Sequence, residues 1–159
     1  MNSLVRLALA GLLALASVPA SATVFVANDP GGKIVDYIQK YSALRDTGEK
    51  VVVAGECVSA CTYFLGLLPK SQFCTTPEAM LGFHSASVKT VYDDGRVEYT
   101  HAVEMSALIW RLYPKNVQRI LKRLGWNGDR AEIPHPAVVW VKGTTLRAMA
   151  PPCTADDLT

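Results

Sequence analysis

Charge is sparse in this 159-residue chain: Asp, Glu, Lys and Arg make up 19% of it, and 16 basic residues stand against 14 acidic ones. So slight an excess argues against a dedicated nucleic-acid binder, which would show a basic stripe. Long apolar runs are equally few. Apart from residues 7–18, no stretch approaches the span of about 20 apolar residues that crosses a bilayer. Internal repeats and low-complexity segments are absent, so solenoid and linker architectures are excluded. The four cysteines include no CxxC pair. A zinc site made from Cys57, Cys61 and His84 would therefore lack the second pair that zinc signatures carry, and no metal is expected.

What is present begins with Arg6, the apolar run 7–18 and Ala20-Ser21-Ala22. Together they fit a secretory signal peptide over 1–22, cleaved at a small-residue box. An uncleaved anchor is the alternative, but the run is short and Pro19 interrupts it. The expected mature chain, 23–159, is long enough for one domain with a real core. Arg6 is the only charge in the leader, leaving 15 basic against 14 acidic residues. All four cysteines (Cys57, Cys61, Cys74, Cys153) follow the leader, and an even number in an exported chain suggests two disulfides. Three pairings are possible and spacing does not choose among them. Cys57 with Cys61 and Cys74 with Cys153 is the pairing expected, and a periplasmic or secreted location follows.

A short strand is predicted over 24–27, followed by Asn28-Asp29-Pro30-Gly31-Gly32, a turn that needs positive φ or a close backbone approach. Ile34, Tyr37, Ile38, Tyr41 and Leu44 recur at helical spacing over 33–45, with Gly48 as the stop. The next strand covers 51–54. Strand, helix, strand implies a parallel pair with a right-handed crossover and the glycine turn at a strand's C-terminal end. Further strands are predicted over 72–75 and 80–84, and a hairpin over 88–92 and 96–100 around Asp93-Asp94-Gly95. Helices follow over 101–112 and 114–124. Val117, Ile120, Leu121 and Leu124 form the apolar face of the second, and Lys115, Arg119, Lys122 and Arg123 its solvated one. A loop over 126–136, a strand over 138–142, a helix over 144–149 and a tail over 151–153 complete the reading.

The organising stretch is Gly55-Glu56-Cys57-Val58-Ser59-Ala60-Cys61-Thr62, where a β-branched strand turns into the apolar run 63–68. A serine at such a bend sits beside unpaired helix-start amides, which stabilise negative charge. Ser59 is either a nucleophile there or simply an N-cap.

The Pro-Gly-Gly turn, the Ser59 bend and Leu81-Gly82-Phe83-His84, in that order and with 25 residues from Ser59 to His84, resemble the Clp protease proteolytic subunit and its crotonase-fold relatives. In particular they resemble an exported, periplasmic bacterial branch with a Cys-x-Ser-Ala-Cys elbow. The resemblance implies an α/β fold, a ββα superhelix with a mostly parallel sheet and C-terminal helices. It also implies a serine hydrolase acting on a peptide or small acyl substrate without a cofactor. Ser59 would be the nucleophile and His84 the base, with the N–H groups of Gly32 and Ala60 holding the oxyanion; Gly32 would be small so as not to crowd the substrate carbonyl. The family's acid falls near 132–138, where this chain has no aspartate; Glu132 is the nearest carboxylate and Asp129 the next. Relatives form trimers or rings, and the helices over 101–124 could serve a homo-oligomer or cover the sheet of a monomer.

Other readings remain open at this point. A binding module with a degenerate site would keep the fold without turnover. Acyl-CoA chemistry would not need the Ser-His pair, and its coenzyme is chiefly cytoplasmic. A serine-lysine dyad would draw on Lys70 or Lys89.

Overall fold

Val51, Val52 and Val53 have no exposed surface, and around them the molecule is assembled. They belong to β2 (Lys50–Val58), which pairs in parallel with β1 (Thr23–Asp29) through the crossover helix α1 (Ile34–Thr47). A computed structural model describes residues 22–128 and 137–158. The apolar stripe anticipated on α1 packs as its spacing demands: Tyr41 is fully buried, and Ile34, Tyr37, Ile38 and Leu44 lie against the core. Gly48, at φ 77°, ends the helix by donating its N–H to the Arg45 carbonyl, a conformation that suits glycine.

Along its other edge β2 receives two short strands in succession. β3 (Phe73–Thr75) pairs with Val51–Val53, and β4 (Met80–Phe83) pairs with Glu56–Val58, both in parallel. β7 (Val139–Lys142) then joins β4 in antiparallel sense, so the five-stranded sheet is mostly parallel. The architecture is mixed α/β. A separate hairpin, β5 (Ser87–Val91) and β6 (Val97–His101), stands beside it. Helices α2 (Phe64–Leu67), α3 (Val103–Leu112), α4 (Lys115–Arg123) and α5 (Gly143–Arg147) complete the described elements.

Several boundaries differ from the sequence reading, each for a local reason. β2 extends to Val58 because its second half finds β4 as a partner. α3 begins at Val103 because His101 is paired with Ser87 in the hairpin. On α4 the buried residues are Val117, Gln118, Ile120 and Leu121, whereas Leu124 is 43% exposed. Gln118 takes the inward place because its amide donates to the carbonyls of Trp110 (3.0 Å) and Tyr113 (2.9 Å), at the break where α3 ends and α4 begins.

Under the sheet lies an aromatic cluster in which Phe83, Tyr113 and Trp126 meet edge to face or tilted, at 5.6 to 6.3 Å between centroids. Trp126 is completely buried although it opens a segment read as a loop. Each such side chain contributes roughly 1.5 to 3 kcal/mol from burial alone.

Cys57 is bonded to Cys61, and Cys74 to Cys153. The second bond holds the C-terminal tail against β3, where Cys153 N–H donates to the Thr75 carbonyl and Thr75 N–H to that of Pro151. Lys50 and Asp157 form an ion pair that ties the same tail to the start of β2. Among the described residues, no helix is long and apolar enough to cross a membrane.

Candidate active site

The C-terminal ends of three neighbouring parallel strands open onto one cavity. β1 ends at Asp29 and is followed by Pro30-Gly31-Gly32; β2 ends at Val58, before Ser59; β4 ends at Phe83, before His84. The register pairs Asp29 with Cys57 and Val58 with Gly82, so turn, serine and histidine leave the sheet at similar heights. Ligands bind at such strand ends in open α/β sheets. The cavity holds about 290 Å3, and Gly31, Gly32, Ser59, Tyr63, His84 and Tyr99 are among its lining residues.

Ser59 occupies the left-handed region, at φ 57°, alone among described non-glycine residues. It is therefore no N-cap: that position is held by Val58, in extended conformation and without a side-chain cap. The helix expected after it is reduced to a 3-10 turn over Ser59–Tyr63 and the single turn of α2. Pro69 follows at once, and Gly66 packs against the Leu112 carbonyl so closely that a Cβ would lie 1.8 Å from it. A left-handed L-residue costs about 1 to 2 kcal/mol and persists only where its surroundings hold it. Here they do. The Cys57–Cys61 bond closes the bend, and Tyr41 Oη donates to the Cys61 carbonyl at 2.7 Å. Thr62 Oγ1 donates to the Ser59 carbonyl at 2.7 Å and in turn meets Tyr113 Oη at 2.7 Å. Because the threonine proton already points to Ser59, the tyrosine is the donor in the second bond. Burial pushes the Tyr41, Tyr63 and Tyr113 phenols well above their ordinary range, so all three remain protonated.

The glycine turn is organised by Asp29. Its Oδ1 accepts Gly31 N–H at 2.9 Å and the Tyr37 hydroxyl, and Lys40 Nζ lies 3.8 Å from Oδ2. Burial and the Asp29 carboxylate raise the Tyr37 phenol, keeping it a donor. With Gly31 N–H so engaged, Gly32 and Ala60 present amides that have no hydrogen-bond partner among the described residues. Within the protein, the tighter steric demand of the turn falls on Gly31. A Cβ on Gly31, at φ 81°, would lie 2.5 Å from the Val58 carbonyl oxygen, 2.7 Å from Ser59 Cβ and 3.0 Å from Ala60 N; one on Gly32 would meet only Tyr37 Cε2, at 3.4 Å. What Gly31 makes room for is the serine bend itself.

His84 is half-buried and bonds the Ser85 carbonyl through Nδ1 at 2.7 Å. A carbonyl only accepts, so in the neutral ring the proton is on Nδ1 and the basic lone pair on Nε2. Ser59 and His84 share the cavity, yet the Ser59 hydroxyl donates to no described residue, His84 included. Glu132 and Asp129 lie outside the described residues. Lys70 and Lys89 do not line the cavity. The metal alternative at Cys57, Cys61 and His84 fails because both sulfurs are tied in a disulfide; the same holds for Cys74 and Cys153 beside Asp157.

Tyr41, Thr62, Tyr113 and Asp29 went unremarked in the sequence as site residues. Tyr41 reads as one more apolar position of α1, and Asp29 as an ordinary turn former. Only Asp29 had a local sign, an aspartate two residues before a glycine, the spacing at which a side chain accepts a backbone N–H. Comparison with protein-family models yields no match to this chain, and comparison with curated proteins yields none either.

Proposed function

We propose that this protein is an exported serine hydrolase on a Clp-protease-like, crotonase-type fold, active on a peptide or small acyl substrate in the periplasm or outside the cell. The observation that carries the reading is Ser59 at φ 57°, a strained serine at the end of a central strand beside two amides without a partner among the described residues. Strain held in place by four separate contacts is the mark of a residue set for a task. Two disulfides support export, and the order of glycine turn, serine and histidine supports the family resemblance.

In this mechanism Ser59 Oγ attacks the acyl carbon while His84 Nε2 takes its proton. The N–H groups of Gly32 and Ala60 receive the charge that develops on the carbonyl oxygen, and each such donor is typically worth about 3 to 4 kcal/mol in the transition state. His84 then protonates the leaving group, and water repeats the sequence in reverse to free the serine. Approach of Ser59 to His84 accompanies substrate binding, since catalytic hydrogen bonds often tighten only in the complex. Labelling by a fluorophosphonate, lost in Ser59→Ala with the fold retained, is the expected result; an oxidised wild type that stays unlabelled overturns the reading.

That the Ser59 hydroxyl donates to no described residue favours one other reading, a binding module that grips a carbonyl ligand with the two amides. Under it, ligand affinity survives Ser59→Ala and no acyl-enzyme forms.

A further inference from the structure

The ring of His84 and the hydroxyl of Ser106 grip opposite ends of one peptide group. His84 Nδ1 bonds the Ser85 carbonyl at 2.7 Å, and the N–H of that same peptide unit, on Ala86, donates to Ser106 Oγ at 2.9 Å. We propose that this peptide unit stands where a triad would place a carboxylate, and that Ser106 is the residue that positions it; the proposal rests on the hydrolase reading above.

The peptide group is planar, with its C=O and N–H pointing in opposite directions. Fixing the direction of Ala86 N–H therefore fixes the direction of the Ser85 carbonyl, and with it the His84 ring. Ser106 is suited to this role. It is fully buried in α3, its hydroxyl has a second contact at His101 Nε2 (3.1 Å), and its own N–H donates to the Ala102 carbonyl at 2.8 Å. The next peptide is tied to the same helix start, Ala102 N–H donating to the Ala86 carbonyl at 2.9 Å. Residues 84–86 are thus clamped to α3 along one side.

Chemically, the arrangement selects a tautomer. A carbonyl has no proton to give, so the contact is compatible with neutral His84 only when Nδ1 carries the hydrogen, and Nε2 is then the base the reaction requires. Donation of Ala86 N–H to Ser106 also polarises the peptide and strengthens its oxygen as an acceptor. A neutral acceptor stabilises the imidazolium less than a carboxylate would. The site gains orientation from it more than charge stabilisation.

The test is the histidine tautomer, read by long-range 1H–15N correlation on the oxidised protein with 15N-labelled histidine, above the pH at which the ring is protonated. His84 is expected as the Nδ1–H form, although free histidine favours Nε2–H. In Ser106→Ala the Nε2–H form is expected to appear, with kcat on a p-nitrophenyl ester lowered by about 10- to 100-fold and KM within about twofold. Ser106→Thr, which keeps the hydroxyl, is expected to restore both. A wild-type His84 in the Nε2–H form overturns the proposal, as does a folded Ser106→Ala with an unchanged tautomer. A wild-type Nε2–H ring overturns the proposal without any variant, even where Ser106→Ala does not fold. An Nδ1–H ring together with an unlabelled Ser59 removes the hydrolase and leaves the peptide contact standing, so the two failures are distinguishable.

Discussion

Gly31 and Ser59 are packed so tightly that a Cβ on the glycine would come within 2.7 Å of the Cβ of the serine. The glycine turn and the serine bend are therefore two halves of one contact, although 28 positions separate them in the chain. Gly31→Ala must open that contact and also force an L-residue to φ 81°. We expect a loss of about 2 to 4 kcal/mol in urea unfolding. Gly32→Ala, whose Cβ would meet only Tyr37 Cε2 at 3.4 Å, is expected to stay within about 1 kcal/mol of wild type. Its phosphonate labelling should nonetheless slow, because the new methyl borders the proposed oxyanion site. Equal destabilisation by the two variants would contradict the assignment.

Ser59→Gly and Ser59→Ala both remove the hydroxyl, yet they differ in backbone freedom. Alanine inherits the strain at φ 57°, whereas glycine is at ease there. We expect Ser59→Gly to be more stable than Ser59→Ala by about 1 kcal/mol, with both unlabelled. Thermal unfolding of the two side by side measures it, and a less stable glycine variant would refute the strain.

The two disulfides are expected to divide stability and activity between them. Cys74–Cys153 joins residues 79 apart, and constraining so long a loop is worth about 4 to 5 kcal/mol in the chain-entropy model. Cys57–Cys61, at a separation of 4, yields about 2 kcal/mol by the same model, but it closes the bend that holds Ser59. Replacing the first pair with serine should lower the unfolding midpoint more; replacing the second should lower labelling more. The reverse ranking in paired denaturation and labelling measurements would count against both assignments.

Asp157 makes the tail sensitive to acid. The hydrogen bond from Lys50, reinforced by Thr154, lowers its carboxyl from the ordinary 3.8 to about 2. A depressed folded pKa adds stability that is complete above the unfolded value and disappears as pH falls towards the folded one. The contribution should therefore be constant from neutral pH down to about 4 and be lost between there and about 2. Asp157→Asn is expected to flatten that part of the stability profile. Parallel profiles for variant and wild type through this window would remove the clamp.

Most of the framework was legible in the chain because its periodicities are clean. The stripe Ile34, Tyr37, Ile38, Tyr41 and Leu44 can bury one face only as a helix, and Val51 to Val53 followed by a bend has few places other than a central strand. The turn, the serine and the histidine were visible as residue types at strand ends. What stayed hidden was whatever depends on a partner distant in sequence. Nothing around Thr62 announces Tyr113, 51 positions away, and nothing around Ala86 announces Ser106. A serine in a helix reads as neutral filler until the peptide it touches is known. The packing role of Gly31 was likewise hidden, because two adjacent glycines look alike until the backbone angles separate them.

The β1–β2 ladder runs in step from Thr23↔Lys50 to Val26↔Val53 and resumes at Asn28↔Glu56, with Ala27 facing both Ala54 and Gly55. Gly55 fits because a Cβ there would lie 1.9 Å from the Ala27 carbonyl oxygen. Since side chains alternate across a strand, that one surplus residue decides which side of the sheet each later residue of β2 faces. Removing it would exchange the faces of Glu56, Cys57 and Val58 and so re-aim the bend that carries Ser59, with every side chain unchanged in identity. An insertion or deletion between 51 and 59 would therefore disturb the serine bend, whereas the tip at Gly95 has nothing within 4 Å of an added Cβ. In this segment the number of residues matters to the site as much as their identity.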